Sequence, residues 1–273
     1  MANSKLSIIQ EVMTVVRKEQ ITPHYIRIFL TGPNIARFSN TTVGVNNKIL
    51  IPPRGLQEIH FPTFDSEKEV WIQPAENLRP AIRTYTHRGI DLEKKEIWID
   101  FAVHGDEGPA SAWALSATEG DVLGLLMKDG KTELYAAADN YLLVGDATAI
   151  PVLAAILEHL PATASGICSI EVATAEDVQQ LQTNADMTFK WLFNPNPQEG
   201  STLADLVKTY DLPLENRFAY VAAEYNTVKA LRSYLRQEKN WTKEELYAYS
   251  YWKSGVAEDR STNERQQEKQ SAD

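Results

Sequence analysis

The stretch Arg83-Thr84-Tyr85-Thr86-His87-Arg88 puts two arginines, an aromatic ring and two hydroxyls within six residues. In an extended strand successive side chains face opposite ways. Arg83, Tyr85 and His87 therefore point to one side, and Thr84, Thr86 and Arg88 to the other. A guanidinium holds a phosphate through paired donors. A tyrosine ring stacks on a flat aromatic surface, and a hydroxyl both donates and accepts. The set suits a flat aromatic ligand that carries phosphate. An edge strand with a solvated arginine face would show the same residues.

A second stretch, His104 to Ala114, reads as a strand end, a Gly-containing turn and a helix start with Pro109 at an early helical position. The N–H groups of Ala110, Ser111 and Ala112 then have no intrahelical acceptor and carry the positive end of the helix dipole. Such a helix start is an anion site, and Ser111 adds a hydroxyl. Trp113 is expected to sit partly in the core. A pyrophosphate held between Arg83 and this helix, with a ring against Tyr85 and its polar edge at Thr86, matches what a flavin dinucleotide asks of a protein. A plain strand-to-helix connection is the other reading of this stretch.

These residues need a scaffold, and the first half of the chain supplies short β-branched and aromatic runs. They lie at 24–32, 46–52, 69–74, 82–88, 96–105 and 121–128, separated by turn residues. Six short strands predict an antiparallel six-stranded β-barrel, interrupted by one helix over 109–117. From about residue 139 the rhythm changes. Apolar strands at 141–146, 166–174, 187–194, 217–224 and 245–253 alternate with helical segments at 148–161, 175–183, 201–210 and 226–239. That alternation predicts a doubly wound parallel α/β sheet. The expected domains are 1–138, 139–255 and a polar tail over 256–273 that cannot bury a core.

Composition narrows the function classes. The formal net charge is −10 over 273 residues, against the sign of a general nucleic-acid binder. An anionic substrate would need a local basic patch. Cys168 is the single cysteine, in an apolar strand, so no internal disulfide forms and an inert core thiol is expected. The N-terminal residues lack a signal-peptide pattern, and no run approaches a membrane span. A cytoplasmic monomer that binds neither nucleic acid nor membrane is expected. The five histidines show no metal-ligand spacing, and no metal site is expected.

The chain resembles the siderophore-interacting protein family, FAD-dependent ferric-siderophore reductases that look like a branch of the ferredoxin–NADP reductase superfamily. Four motifs in order carry the resemblance: Arg83-Thr84-Tyr85-Thr86-His87-Arg88, His104 to Ala114, Tyr141 to Pro151, and Ser250-Tyr251-Trp252 with Gly255. It implies that Arg83, Thr84, Tyr85, Thr86, Arg88, His104, Pro109, Ala110, Ser111 and Trp113 bind FAD, that Thr148 reaches the flavin side, and that Trp252 is a flavin-side aromatic. It also implies that Lys48, Lys128 and Lys253 hold the ferric siderophore, catecholate or hydroxamate, with Lys128 at the more variable position. Each lysine taken singly also reads as a solvated surface charge.

The implied reaction reduces Fe(III) to Fe(II) and releases iron in the cytoplasm, with the flavin as redox group and no catalytic side chain. The turn Gly145-Asp146-Ala147-Thr148 departs from the Gly-rich nucleotide turn of ferredoxin–NADP reductases. Glu176 and Asp177 after the second parallel strand suit a ribose diol more than a 2′-phosphate. NADH is therefore favoured over NADPH as donor, with reduced ferredoxin also open. A reductase of free flavin or quinone, and a non-catalytic siderophore carrier, are the competing functions.

Overall fold

The computed structural model describes residues 7–103, 105 and 108–256. His104 and the tail from residue 257 lie outside them. Contacts divide the chain into two units, Met1–Thr132 and Glu133–Asp273. The segment after Thr132 is tied to the second unit: Tyr141 Oη donates to Ala136 O, and Asp139 N donates to Asn216 O at 3.2 Å.

The first unit contains β1 (Ile8–Thr22), β2 (Tyr25–Thr31), β3 (Asn46–Ile51), β4 (Thr63–Asp65), β5 (Val70–Ile72), β6 (Ala81–Thr86), β7 (Gly89–Asp91), β8 (Glu96–Ala102), α1 (Pro109–Ser116) and β9 (Val122–Lys128). Seven strands form one curled antiparallel sheet in the order β6-β3-β9-β1-β2-β8-β7. The six-strand count expected from sequence changes in two ways. The central strand β1 and the short β7 join the sheet, whereas the run 69–74 yields only β5, paired with β4 in a separate hairpin. Val70, Trp71 and Ile72 are all about half exposed, so this hairpin has no face to bury against the sheet. In β1, Ile9, Glu11, Met13 and Val15 are buried while Ile8 and Val12 are exposed, the period-2 alternation of a paired strand. Buried Met13, Ile28, Leu30, Ile49, Phe101, Leu123 and Leu125 fill the core.

The second unit contains β10 (Asn140–Asp146), α2 (Ile150–His159), β11 (Ser165–Val172), β12 (Asp186–Phe193), α3 (Leu203–Lys208), β13 (Arg217–Glu224), α4 (Tyr225–Ser233) and β14 (Leu246–Trp252). Its five parallel strands run in the order β12-β11-β10-β13-β14. The strand order therefore reverses between β10 and β13, the topological switch point of an open α/β sheet. The helix expected over 175–183 is absent. A single 3-10 turn, Ala175–Asp177, is closed by Thr174 and Asp177 bonding each other's backbone and side chains, and an irregular segment follows. The residues beyond it are mostly polar and Val178 is exposed, so no apolar stripe anchors further turns. Cys168 is fully buried, and burial pushes its thiol pKa up, consistent with a core role.

Candidate functional site

In the first unit β3 pairs with β6 so that Lys48 lies opposite Thr84, Ile49 opposite Arg83, and Asn47 opposite Tyr85. The two faces of β6 therefore differ. Arg83 and Tyr85 share the side of buried Ile49 and Asn47. Thr84 and Thr86 share the side of Lys48, whose Nζ donates to Thr84 Oγ1. The half-buried Tyr85 ring lies 4.5 Å from the Phe101 ring, and Phe101 lies 5.8 Å from the Trp113 ring. This aromatic chain joins β6 to α1 through β8. The half-buried Arg83 donates from Nη1 to Ile82 O at 2.7 Å.

Gly105 adopts φ +73°, a left-handed conformation in the turn between β8 and α1. Gly108 caps α1 in extended geometry, followed by Pro109 at the first helical position. Ala112 N donates to Gly108 O at 2.9 Å, so the set of open N–H groups is smaller than sequence spacing suggests. Ala110 and Ser111 precede Ala112 in this first turn, directly after Pro109. Alongside α1 runs a groove of about 690 Å³. Pro109, Ala112, Trp113 and Ser116 line one wall, and the loop Pro52-Pro53-Arg54-Gly55 lines the other. Arg54 is a groove residue that the sequence motifs do not single out. The run Pro52-Pro53-Arg54-Gly55 carries no local signal of a ligand, and only the tertiary fold lays it beside α1.

Arg88 has a different environment from Arg83. Its Nε lies 3.8 Å from Asp100, a buried carboxylate already gripped by Arg27 at 2.7 and 2.8 Å. The family resemblance implies a cofactor role for Arg88, and its guanidinium lies beside Asp100 and a second guanidinium. His87 is also internal: it is fully buried, and neither ring nitrogen has a hydrogen-bond partner among the described residues. Burial, with a smaller contribution from the positive charge of Lys131, lowers its pKa from 6.5 to about 4.

The sign of this shift is definite. The unfolded imidazole takes a proton near pH 6.5 and the folded one only near 4, so the unfolded chain binds more protons across that window. Stability contributed by neutral His87 is present above pH 6.5 and is lost as pH falls through the window. By pH 4.5 the loss approaches about 2–3 kcal/mol. Urea unfolding at pH 7.5 and 4.5 should show this difference in the wild type and not in His87→Gln. Parallel pH dependence in the two proteins would contradict it.

Lys48 pairs with Leu126 across β3 and β9. Lys128, two residues further along β9, therefore occupies the same face diagonally, at roughly 7–8 Å between backbones. Both are exposed. In the second unit Lys253 Nζ lies 4.7 Å from the Tyr225 ring centroid, a cation–π contact.

The carboxyl ends of β10 and β13 meet at Asp146. Its carboxylate accepts from Thr148 N at 2.9 Å, Thr148 Oγ1 at 2.5 Å, Glu224 N at 2.9 Å and Trp252 Nε1 at 2.8 Å. Thr148 thus spends its hydroxyl proton on Asp146 and keeps only acceptor capacity. Glu171 at the end of β11 accepts from Ser201 Oγ at 2.5 Å and Asn194 Nδ2 at 3.2 Å, and burial raises its pKa. From sequence, Glu176 and Asp177 are the acidic residues expected at this edge. The structure puts the buried carboxylate at Glu171, on the strand end itself, and Asp177 caps its own turn.

Residues 14–132 match the siderophore-interacting FAD-binding domain, and residues 138–255 match the siderophore-interacting protein domain. The chain is 32% identical over 267 residues to the ferric vibriobactin reductase ViuB of Vibrio cholerae, with 97% of each chain covered. The chain belongs to the siderophore-interacting protein family.

The crystal structure of the siderophore-interacting protein SipS from Aeromonas hydrophila agrees with that placement. It superposes with a TM-score of 0.81 at 30% identity, covering 96% of this chain and 98% of SipS. Phthalate dioxygenase reductase, at 15% identity and a TM-score of 0.57 over 93% of this chain and 70% of its own, shares the fold. The architecture is thus ferredoxin reductase-like, with a FAD-binding sheet domain first and a parallel-sheet domain second. No described helix is long and apolar enough to cross a membrane.

Proposed function

We propose that the protein is a FAD-dependent reductase of ferric siderophores, which converts chelated Fe(III) to Fe(II) so that iron is released in the cytoplasm. The observation that carries this reading is the coupling of the Arg83–Thr86 strand to the start of α1 through Tyr85, Phe101 and Trp113, inside the matched FAD-binding domain. The donor set fits FAD. Arg83 and the N–H groups of Ala110 and Ser111 supply positive potential for a pyrophosphate. Tyr85 supplies a ring face, and Thr84, Thr86 and Ser111 supply hydroxyls. The groove beside Pro109 has the volume for the rest of a dinucleotide. Bound FAD supplies the step between a two-electron donor and one-electron ferric ions.

The chain's own work is positioning and charge. Arg83 and α1 anchor phosphate, and the aromatic chain fixes the ring-bearing strand. Lys48, Lys128 and Lys253 attract anionic siderophores to a protein of net charge −10. Fe(II) is softer than Fe(III) and binds hard oxygen donors less tightly, which favours release. The similarity to the Vibrio cholerae reductase supports the substrate class.

The test is anaerobic stopped flow. Flavin reduced by NADH, NADPH or reduced ferredoxin should be reoxidised on mixing with a ferric siderophore, and an Fe(II)-specific chelator should register the product. Reduced flavin that persists beside the ferric complex would contradict the reading. Among nucleotides, NADH should give the larger kcat/KM. Buried Glu171 and Asp146 lie in register at the ends of neighbouring strands, and a 2′-phosphate near them would meet repulsion. A clear NADPH preference under matched conditions would overturn this assignment of the acidic edge.

A further inference from the structure

In open α/β sheets anionic ligands dock outside the carboxyl ends of the strands at the switch point, on backbone N–H groups freed there. Here that place lies between β10 and β13, and two of its N–H groups are already engaged within the chain. Thr148 N and Glu224 N both donate to Asp146, each at 2.9 Å. The Thr148 hydroxyl and the Trp252 indole N–H complete four donors around one carboxylate, and Asp146 is only 6% exposed. The bonds to Glu224 N and Trp252 Nε1 tie strand ends that lie 78 and 106 residues away in sequence.

Two further observations point the same way. Gly145 does not open the turn to a ligand: a Cβ on it would lie 2.5 Å from Ala149 Cβ and 2.9 Å from Ala222 O, so its lack of a side chain serves close packing of the turn on the sheet. The neighbouring strand ends carry buried Glu171 and Glu224, and Glu224 itself accepts from Asn226 N at 2.6 Å and Ser254 N at 3.3 Å. Three carboxylates thus line an edge where a pyrophosphate would need donors.

We propose that Asp146 is a specificity-determining residue of the donor domain: its carboxylate occupies the switch-point anion seat from within the chain, which keeps a nucleotide pyrophosphate out and holds the Trp252 indole across that seat. The occupancy of the N–H donors is geometric and holds in either protonation state of the carboxyl. The proposal rests on the reading of the second unit as the electron-donor domain. It implies that a nicotinamide dinucleotide engages this domain loosely, through groups other than its pyrophosphate.

Calorimetric titration of the FAD-loaded protein with adenosine and with ADP-ribose tests it. In the wild type ADP-ribose should bind no more tightly than adenosine, because the pyrophosphate gains no seat. Asp146→Gly should tighten ADP-ribose at least tenfold while leaving adenosine within about twofold, and the KM for NADH should fall in parallel. The near-UV circular dichroism of Trp252 should change in Asp146→Gly and be partly restored in Asp146→Asn. Wild-type ADP-ribose binding more than tenfold tighter than adenosine would overturn the proposal without any variant, so it stays testable should Asp146→Gly not fold. An ADP-ribose affinity unchanged in a folded Asp146→Gly would overturn it as well. The reductase reading is checked separately, by reoxidation of photoreduced flavin with a ferric siderophore, which needs no nucleotide.

Discussion

Arg83→Ala should lose FAD. The guanidinium sits on the face of β6 shared with Tyr85, opposite buried Ile49, in the strand that the Phe101 and Trp113 rings link to α1. A charge-assisted contact to phosphate contributes about 1.5–3 kcal/mol, so its removal should weaken FAD by roughly tenfold to a hundredfold. The check is flavin occupancy of the purified variant after dilution and dialysis, followed by titration with fresh FAD. Arg88→Ala provides the contrast. Because Arg88 is engaged with Asp100 beside Arg27, its loss should lower the melting temperature more than it lowers FAD affinity. Full flavin retention in Arg83→Ala, or the reverse ranking of the two variants, would remove Arg83 from the cofactor site.

Alanine at Lys48, Lys128 and Lys253 should weaken anionic ferric siderophores far more than neutral ones. At an effective dielectric near 20, a lysine about 6 Å from a unit charge contributes ~2–3 kcal/mol. Solvent and salt reduce that by half or more, which leaves about tenfold per lysine. The Lys48 and Lys128 losses should compound, because the two charges share one face of the first unit. Lys253 stands over Tyr225, and its effect measures whether the second unit contributes charge to the ligand. The experiment titrates flavin absorbance with a ferric tricatecholate and with a neutral ferric hydroxamate, at low and high salt. FAD content should stay constant. Equal losses for both ligands would place the site elsewhere, and a loss confined to Lys48 and Lys128 would restrict it to the sheet domain.

Much of this protein was legible in sequence because its signals are local. The alternation in residues 83–88, the Pro109 helix start and the change of rhythm near residue 139 each depend on neighbours within a few positions. They were enough to predict an antiparallel domain followed by a parallel one, and to single out the Arg83–Thr86 strand. Strand β1 escaped because charged and amide side chains interleave its apolar ones. Its burial comes from partners on both sides, β2 and β9, and the second of these lies more than 90 residues away. The segment 175–183 misled for the opposite reason: it has helical composition but no apolar face that the sheet could cover.

What only tertiary structure decided is how polar groups are used. Sequence shows Asp146 one residue after Gly145, and nothing local says that Glu224 N and Trp252 Nε1 will close on it. Arg83 and Arg88 look equivalent in the motif, yet the fold sets one of them 3.8 Å from the buried carboxylate of Asp100. The physical reason is common to both cases. Periodicity reports which face of an element is apolar, whereas the partner of a buried polar group is set by which distant strand lies alongside, and strand order becomes fixed only when the sheet assembles.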